Sequence, residues 1–325
     1  MKRYLHGMAV AVVLFSLISC SKSLYPVYVG GKVAYINSKG EEVVSPSYEK
    51  GDVFSDKMAI VSQDGKLGFI NNKGQLVIPL SFDQAGPFHE GIAMVILDEK
   101  VGYIDKKGNY LVEPVYVRGG NFSEGRASVH SEEGKTFLID TQGRVLKELP
   151  FEYLGEFRNG LALIIRDGLC GFMDKNGVVQ IEPQFEYAGS FFDGLALIVK
   201  DGKGGYINKK GEVVISPRFS YSGDFSSGRA LYVEEEKAGY IDKKGSVAIS
   251  PQYSFAGNFS EKLAKVQIDD YMGFIDTKGV LVIPAEFDYG EDFRDGLALM
   301  VKDNLLVYID RKGHIVWSAE SGEEF

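Results

Sequence analysis

The sequence contains few of the residues that most enzymes use for catalysis. Only four histidines and two cysteines occur in 325 residues, and the patterns His-Glu-x-x-His, Cys-x-x-Cys and Gly-x-Ser-x-Gly are absent, as is a phosphate-binding loop. His89, His130 and His314 stand at different phases of the repeat described below, so we expect surface histidines. The sequence predicts no catalytic residue, no metal and no cofactor.

Positive charge is also scarce. The chain has 36 Lys and Arg residues against 45 Asp and Glu residues, which gives a formal net charge of −9. The lysines are dispersed at expected hairpin tips such as Lys106-Lys107 and Lys243-Lys244 and form no basic block. Because a net acidic surface repels the phosphate backbone, we expect no nucleic-acid partner.

Only one long apolar run is present, from Met8 to Ile18, and it is too short for the roughly 20 residues of a membrane-spanning helix. Lys2 and Arg3 precede it and Ser19-Cys20 follow it. This N-terminus resembles a bacterial lipoprotein signal peptide. The resemblance implies that residues 1–19 are removed, that Cys20 is lipidated, and that residues 20–26 form a tether. Loss of Lys2 and Arg3 changes the formal charge from −9 to −11.

The same resemblance implies a location. Ser21 after the cysteine permits transfer to the outer membrane under the sorting rules of Gram-negative lipoproteins, and either the periplasmic or the outer face remains open. Once Cys20 is lipidated, Cys170 has no cysteine to pair with. We interpret Cys170 as a small buried apolar residue.

An internal repeat dominates the remaining chain. The element Gly-(Tyr/Phe)-Ile-(Asp/Asn)-x-x-Gly recurs at intervals of 34 residues, with one interval of 35. Its nine closing glycines are Gly40, Gly74, Gly108, Gly143, Gly177, Gly211, Gly245, Gly279 and Gly313. A fixed period of this length indicates structural units that stack on their neighbours.

Each repeat is predicted to form three antiparallel strands and no helix. In one copy the apolar runs are Leu195–Val199, Gly205–Ile207 and Glu212–Ile215, all too short for a helix. The Asp or Asn before each closing glycine suits an Asx turn. Proline is expected to end the third strand, because it cannot donate to the ladder. These prolines are Pro46, Pro79, Pro114, Pro183, Pro217, Pro251 and Pro284.

A phenylalanine follows the proline of each repeat, also at regular spacing. The series is Phe54, Phe88, Phe122, Phe157, Phe191, Phe225, Phe259 and Phe293. Because an isolated three-stranded sheet cannot bury both faces, we predict that these rings pack between repeats. A stacked aromatic platform for a ligand is the alternative.

The repeat resembles the WG repeat family of bacteria, in which Trp-Gly-Tyr-Ile-Asp-x-x-Gly is followed by Val-Ile-x-Pro and then Phe-x-x-Gly-x-Ala. Val101-Gly102-Tyr103-Ile104-Asp105 and Gly296-Leu297-Ala298-Leu299 fit the two halves. The tryptophan is replaced by Leu67, Val101, Cys170, Gly204, Ala238 or Met272, and Trp317 lies elsewhere. The resemblance covers the mature chain and implies a β-repeat architecture without an assigned activity.

Two all-β arrangements of the nine repeats are possible, an open or superhelical array and a closed propeller-like ring. Propellers commonly close by completing one blade from both chain ends, whereas here the first and last repeats each have their own three strands. A 34-residue unit is also short for a four-stranded blade. We therefore favour the open array over residues 27–317, followed by an acidic tail at 318–325.

Three features are candidates for a site. Residues 130–151 are irregular, which we interpret as drift. Acidic runs at Asp269-Asp270 and Glu234–Glu236 lack the spacing of a calcium loop. Tyrosines recur after the proline at Tyr187, Tyr221, Tyr253 and Tyr289, and we expect them to be half-buried strand residues, although exposed ones would suit sugar stacking.

The sequence thus favours a lipid-anchored, non-enzymatic envelope protein whose repeats bind or scaffold a protein or glycan partner. Two alternatives remain. One is an envelope hydrolase with carboxylates in the central cleft of a ring, and the other is a purely structural envelope component.

Overall fold

A computed structural model describes residues 23–319. Nine antiparallel sheets of three or four strands account for all the regular structure in this range, which confirms the all-β repeat prediction. Nothing in the described range forms a helix long and apolar enough to cross a membrane. Cys20 and most of the predicted C-terminal tail lie outside the described residues.

Each sheet is one blade, and the strands are numbered in chain order. Blade 1 contains β1 (Tyr25–Val29), β2 (Lys32–Ile36) and β3 (Glu42–Tyr48). Blade 2 contains β4 (Lys50–Gly51), β5 (Met58–Gln63), β6 (Lys66–Asn71) and β7 (Leu76–Phe82). Blade 3 contains β8 (Gln84–Ala85), β9 (Ile92–Leu97), β10 (Lys100–Asp105) and β11 (Tyr110–Tyr116). Blade 4 contains β12 (Arg118–Gly119), β13 (Arg126–His130), β14 (Thr136–Asp140) and β15 (Val145–Leu149).

The later blades follow the same plan. Blade 5 contains β16 (Tyr153–Leu154), β17 (Leu161–Arg166), β18 (Leu169–Asp174) and β19 (Val179–Phe185). Blade 6 contains β20 (Tyr187–Ala188), β21 (Leu195–Lys200), β22 (Lys203–Asn208) and β23 (Val213–Phe219). Blade 7 contains β24 (Tyr221–Ser222), β25 (Ala230–Glu234), β26 (Lys237–Ile241) and β27 (Val247–Tyr253). Blade 8 contains β28 (Leu263–Ile268), β29 (Tyr271–Asp276) and β30 (Leu281–Phe287), and blade 9 contains β31 (Tyr289–Gly290), β32 (Leu297–Lys302), β33 (Leu305–Asp310) and β34 (Ile315–Ser318).

The segment after the proline supplies a short fourth strand that the three-strand prediction left out. In blade 2 the order across the sheet is β4-β5-β6-β7, and two-residue strands occupy the same edge in six other blades. In blade 8 a single bridge between Ala256 and Val266 takes this place. A blade can be built from 34 residues because its edge strand is only two residues long.

The prolines do not end the third long strand, so that prediction was wrong. Pro217 lies inside β23, where the pairing with β22 changes register between Tyr206↔Ile215 and Gly204↔Phe219. The bulge takes the proline nitrogen out of the ladder, so no hydrogen bond is lost. A Cβ at Gly205 would lie 2.6 Å from the nitrogen of Pro217. The glycine of the repeat motif is therefore required by the approach of the bulged backbone.

The turn between the second and third long strands has the same geometry in every blade. In blade 6 the Asn208 side chain accepts hydrogen bonds from the backbone N–H groups of Lys210 and Glu212, at 2.9 and 3.1 Å. Gly211 closes this turn with a φ of 80°, and all nine closing glycines have positive φ. Asp and Asn thus shape turns at this position.

The phenylalanine series lies between neighbouring blades. The Phe225 ring is 4.8 Å from the Tyr206 ring of the preceding blade, and six other members make the same aromatic contact. Phe157 instead packs on Leu138 in an apolar cluster. All members are buried except the half-buried Phe54. They therefore supply core contacts, and no ligand platform forms from them.

A second set of contacts joins the turns that precede the first long strands. The side chains of Asp56, Glu90, Glu124, Asp193 and Glu261 each accept a hydrogen bond from the backbone N–H of the turn glycine in the next blade. Each of these acidic residues has a positive φ. Their spacing in the sequence follows the repeat period and is a usable signal for these contacts.

The chain ends meet, so the nine blades form a closed propeller, and the favoured open array was wrong. The Tyr308 hydroxyl donates to Pro26 O at 3.0 Å, and the Tyr25 and Tyr308 rings are 5.5 Å apart. Tyr25, Val27, Leu297 and Tyr308 share one buried cluster. Blades 1 and 9 remain separate sheets, because this seam closes by side-chain packing and not by a shared sheet. The complete first and last repeats therefore did not exclude a ring.

Candidate functional site

The short strands form one continuous edge of the ring, which we call the short-strand edge. Neighbouring blades touch here: Asn121 donates to Glu156 at 3.1 Å, and a Cβ at Gly189 would lie 2.7 Å from Asp224 Oδ1. Because the blades of a propeller surround a central channel and converge toward it, we infer that this edge faces the ring axis.

The first residue of each short strand is exposed, as is Phe255 at the corresponding position of blade 8, and the chemistry of this position changes around the ring. Blades 2 to 4 carry Lys50, Gln84 and Arg118. Blades 5 to 9 carry five aromatic residues, here named the aromatic stripe: Tyr153 (48% exposed), Tyr187 (53%), Tyr221 (57%), Phe255 (43%) and Tyr289 (62%).

The aromatic stripe corrects the expectation for the recurrent tyrosines. Tyr187, Tyr221 and Tyr289 are exposed and not half-buried, whereas Tyr253 is buried at the end of β27. Phe255 takes its place in the stripe, and Tyr153 is a further member that was not predicted. The signal was available, since residues 153, 187, 221, 255 and 289 are spaced by 34.

One buried cation lies within the stripe. Lys265 Nζ is 6.0 Å from the centre of the Phe255 ring and 5.6 Å from that of Tyr289, and it donates to Gly290 O. Asp292 Oδ1 is 3.7 Å from the same nitrogen. Cation–π contacts of this kind hold the two rings in place across the blade interface.

Polar side chains lie one turn further along the short-strand edge. Asn121, Glu156, Asp224, Asn258 and Asp292 occupy corresponding positions on different blades. Glu156 also contacts Arg158 at 3.1 Å. Burial raises the pKa of the Asp224 carboxyl, against an opposing effect of Arg158. The stripe is thus bordered by groups that can donate or accept hydrogen bonds.

Cavities open along this edge between blades. The one between blades 4 and 5 has a volume of about 380 Å³ and is lined by Arg118, His130, Tyr153 and Glu156, among others. Burial lowers the pKa of His130, and the nearby Arg118 adds to the effect. The irregular repeat 130–151 borders this cavity, and its added residue lies in the turn between β13 and β14.

The other candidate residues are dispersed. His89 lies in a turn before β9, and the exposed His314 contacts Asp310 at 3.0 Å. Asp269-Asp270 and Glu234–Glu236 are exposed at separate hairpin turns. Between residues 23 and 319, no three His, Cys, Asp or Glu side chains are grouped so as to hold a metal ion. Cys170 is buried, and burial raises the pKa of its thiol.

Eight segments match the model of the WG containing repeat, and they cover most of the chain. The matched residues are 34–66, 68–100, 102–131, 137–170, 171–203, 205–237, 239–271 and 272–305. The chain belongs to the WG-containing repeat family. The matched segments follow one another from blade to blade around the ring. Each segment begins within one blade and ends in the next, so the WG repeat has the length of a blade but a different starting point. No curated protein matches the sequence.

The chain is similar to several solved structures. A eukaryotic initiation factor is 12% identical with a TM-score of 0.65, and the alignment covers 92% of this chain and 96% of that one. BamB from Moraxella catarrhalis is 12% identical with a TM-score of 0.46, over 90% of this chain and 98% of that one. At 12% identity the likeness to the initiation factor concerns the fold alone.

Proposed function

We propose that this WG-repeat propeller is a lipid-anchored cell-envelope protein that binds a glycan or protein partner without catalysing a reaction. The observation that carries the proposal is the aromatic stripe. Five large rings on five successive blades are between 43% and 62% exposed, at one position of the repeat. Clustered exposed aromatic residues of this kind mark binding surfaces.

The repeat arrangement suits an extended partner. Each blade presents its ring at the same position, so several weak contacts add along a surface that does not need to be ordered on binding. Lys265 fixes two of the rings. The partner is expected to run across blades 5 to 9, because Lys50, Gln84 and Arg118 interrupt the stripe on the other side.

The alternative function, an envelope hydrolase, has two structural requirements. The first is a propeller ring, and the closed ring meets it. The second requirement is at least two acidic residues that face each other in the central cleft. Glu156 instead pairs with Asn121 and Arg158, and Asp292 lies beside Lys265. These contacts suit structural roles for the carboxylates, so we propose a binding function.

The first prediction concerns the stripe. The double variant Tyr153→Ala, Tyr289→Ala is expected to weaken binding to isolated envelope fragments by about fivefold to 150-fold, because each aromatic contact contributes about 0.5–1.5 kcal/mol. Biolayer interferometry on the immobilised full chain measures this. Tyr110→Ala, Val115→Ala is the matched control, since both residues are exposed on β11, the opposite edge of blade 3. Equal loss in both double variants would contradict a site at the stripe.

The second prediction concerns the anchor. We expect the wild-type chain to incorporate labelled fatty acid and to float with membranes in a density gradient, and Cys20→Ala to do neither. Outer-membrane enrichment of the wild type tests the expectation from Ser21. A full-length Cys20→Ala chain that stays membrane-associated would overturn the lipoprotein proposal and leave the stripe proposal untouched.

A further inference from the structure

The interface between blades 6 and 7 contains a cavity of about 370 Å³. Tyr187 and Tyr221 of the aromatic stripe line it, together with Gly204, Ser222, Asp224 and Asn258. The volume lies within the range of about 300–1,000 Å³ that is usual for small-molecule sites.

Two departures from the repeat lie in the lining of this cavity. Gly204 stands where the family carries tryptophan and where other blades have Leu67, Val101, Cys170, Ala238 or Met272. Ser222 stands where other blades have Gly51, Ala85, Gly119, Leu154, Ala188, Ala256 or Gly290. The two residues face each other, because a Cβ at Gly204 would overlap Ser222 Oγ. Blade 6 thus lacks a side chain at the point where blade 7 adds a hydroxyl.

That hydroxyl makes no hydrogen bond of normal geometry within the described residues. Ser222 is only 8% exposed, and its Oγ lies near the Tyr206 hydroxyl, which instead donates to Gly223 O at 2.6 Å. Tyr232, the register partner of Ser222, is 3% exposed, and its hydroxyl is also unpaired. Within residues 23–319 only Ser131 shares this condition. An unpaired buried hydroxyl costs about 1–3 kcal/mol, and of these two residues only Ser222 lines the cavity, so Ser222 indicates a ligand that pairs with it there.

The remaining groups define what that ligand offers. Tyr187 and Tyr221 are exposed aromatic residues in the lining, while Ser222, Asp224 and Asn258 supply hydroxyl, carboxyl and amide groups. A ligand with an apolar face and several hydroxyl groups satisfies both sets. A negatively charged ligand is disfavoured by Asp224. An added peptide strand is disfavoured because β24 has only two residues, which offer too few free backbone groups.

We propose that this cavity binds one neutral hexose unit of an envelope glycan, with Ser222, Asp224 and Asn258 bonding its hydroxyl groups between Tyr187 and Tyr221. This hexose site rests on the proposed binding function, and it specifies a glycan as the partner. The rest of the glycan then lies along the aromatic stripe, and the cavity fixes its register on the ring.

The test is a titration of the purified full chain with maltose, cellobiose and lactose by calorimetry and saturation-transfer NMR. The double variant Gly204→Leu, Ser222→Ala reproduces the pair Leu67 and Ala85 that blades 2 and 3 already accommodate, so we expect it to fold. It fills the cavity and is expected to abolish binding or weaken it at least about tenfold. Ser222→Ala alone is expected to weaken binding roughly threefold to tenfold through one lost hydrogen bond.

The outcomes separate this proposal from the proposed function. No binding of any disaccharide to the wild-type chain, or equal binding to the wild type and both variants, overturns the hexose site. If envelope fragments are still bound through the stripe in that case, the binding platform stands and its partner is a protein or another polymer. Loss of the fragment interaction as well would overturn both.

Discussion

Replacing Phe225 with alanine is expected to lower the free energy of unfolding by about 3–5 kcal/mol. Phe225 is 1% exposed, and its ring packs on Tyr206 in the cluster that joins blades 6 and 7. Truncation leaves a cavity between two sheets, each held in position by the other, so relaxation can fill little of it. Urea unfolding followed by tyrosine fluorescence measures the loss.

Phe54→Ala is the matched comparison. Phe54 belongs to the same series and contacts Tyr35 at 5.0 Å, but it is only half-buried. Its removal should therefore cost clearly less than removal of Phe225. Similar losses at the two positions would show that the phenylalanines do not act through burial between blades.

The second large effect is expected at the seam of the ring. A Cβ at Gly40 would overlap the backbone carbonyl oxygen of Val316 in the last blade, and Gly40 has a φ of 80°. We expect Gly40→Ala to lower the free energy of unfolding by about 2–5 kcal/mol. Alanine is strained at this left-handed backbone conformation, and its Cβ forces blades 1 and 9 apart. Hydrogen exchange should then increase first in β1 and β34.

Gly91→Ala separates the two causes. Gly91 has a φ of 82°, yet an added Cβ would meet open space. Gly91→Ala is therefore expected to lower the free energy of unfolding by only about 1–2 kcal/mol, from backbone strain. Amide hydrogen exchange in β1 and β34 should stay unchanged. If the two alanine variants behave alike, the seam contributes nothing beyond turn strain.

The parts of the fold that depend on local chemistry were predictable from the sequence. Strands, Asx turns and positive-φ glycines follow from interactions within a few residues, as at Asn208 and Gly211. Pro217 was misjudged because its bulge depends on a glycine in the adjacent strand, Gly205. Whether the array closes depends on a small rotation repeated nine times, which no single residue specifies.

The candidate site was predictable only in part. The tyrosine recurrence was visible, but Tyr253 and Phe255 are two residues apart and belong to different elements, a long strand and the short-strand edge. The cavity was invisible at the sequence level because Gly204 and Ser222 are each unremarkable substitutions. Their effect depends on the packing of blades 6 and 7, which places the two residues against each other in the lining of the cavity.

The phenylalanine series has eight members for nine blade interfaces, and its next position in the direction of the N-terminus is Cys20. At the seam Tyr25 packs against Tyr308 instead. If Cys20 carries the lipid as proposed, any pull between membrane and partner passes through residues 20–24 into this interface. The ring would then be mechanically loaded where its packing differs from every other joint, so tension would open it there before it unfolded a blade.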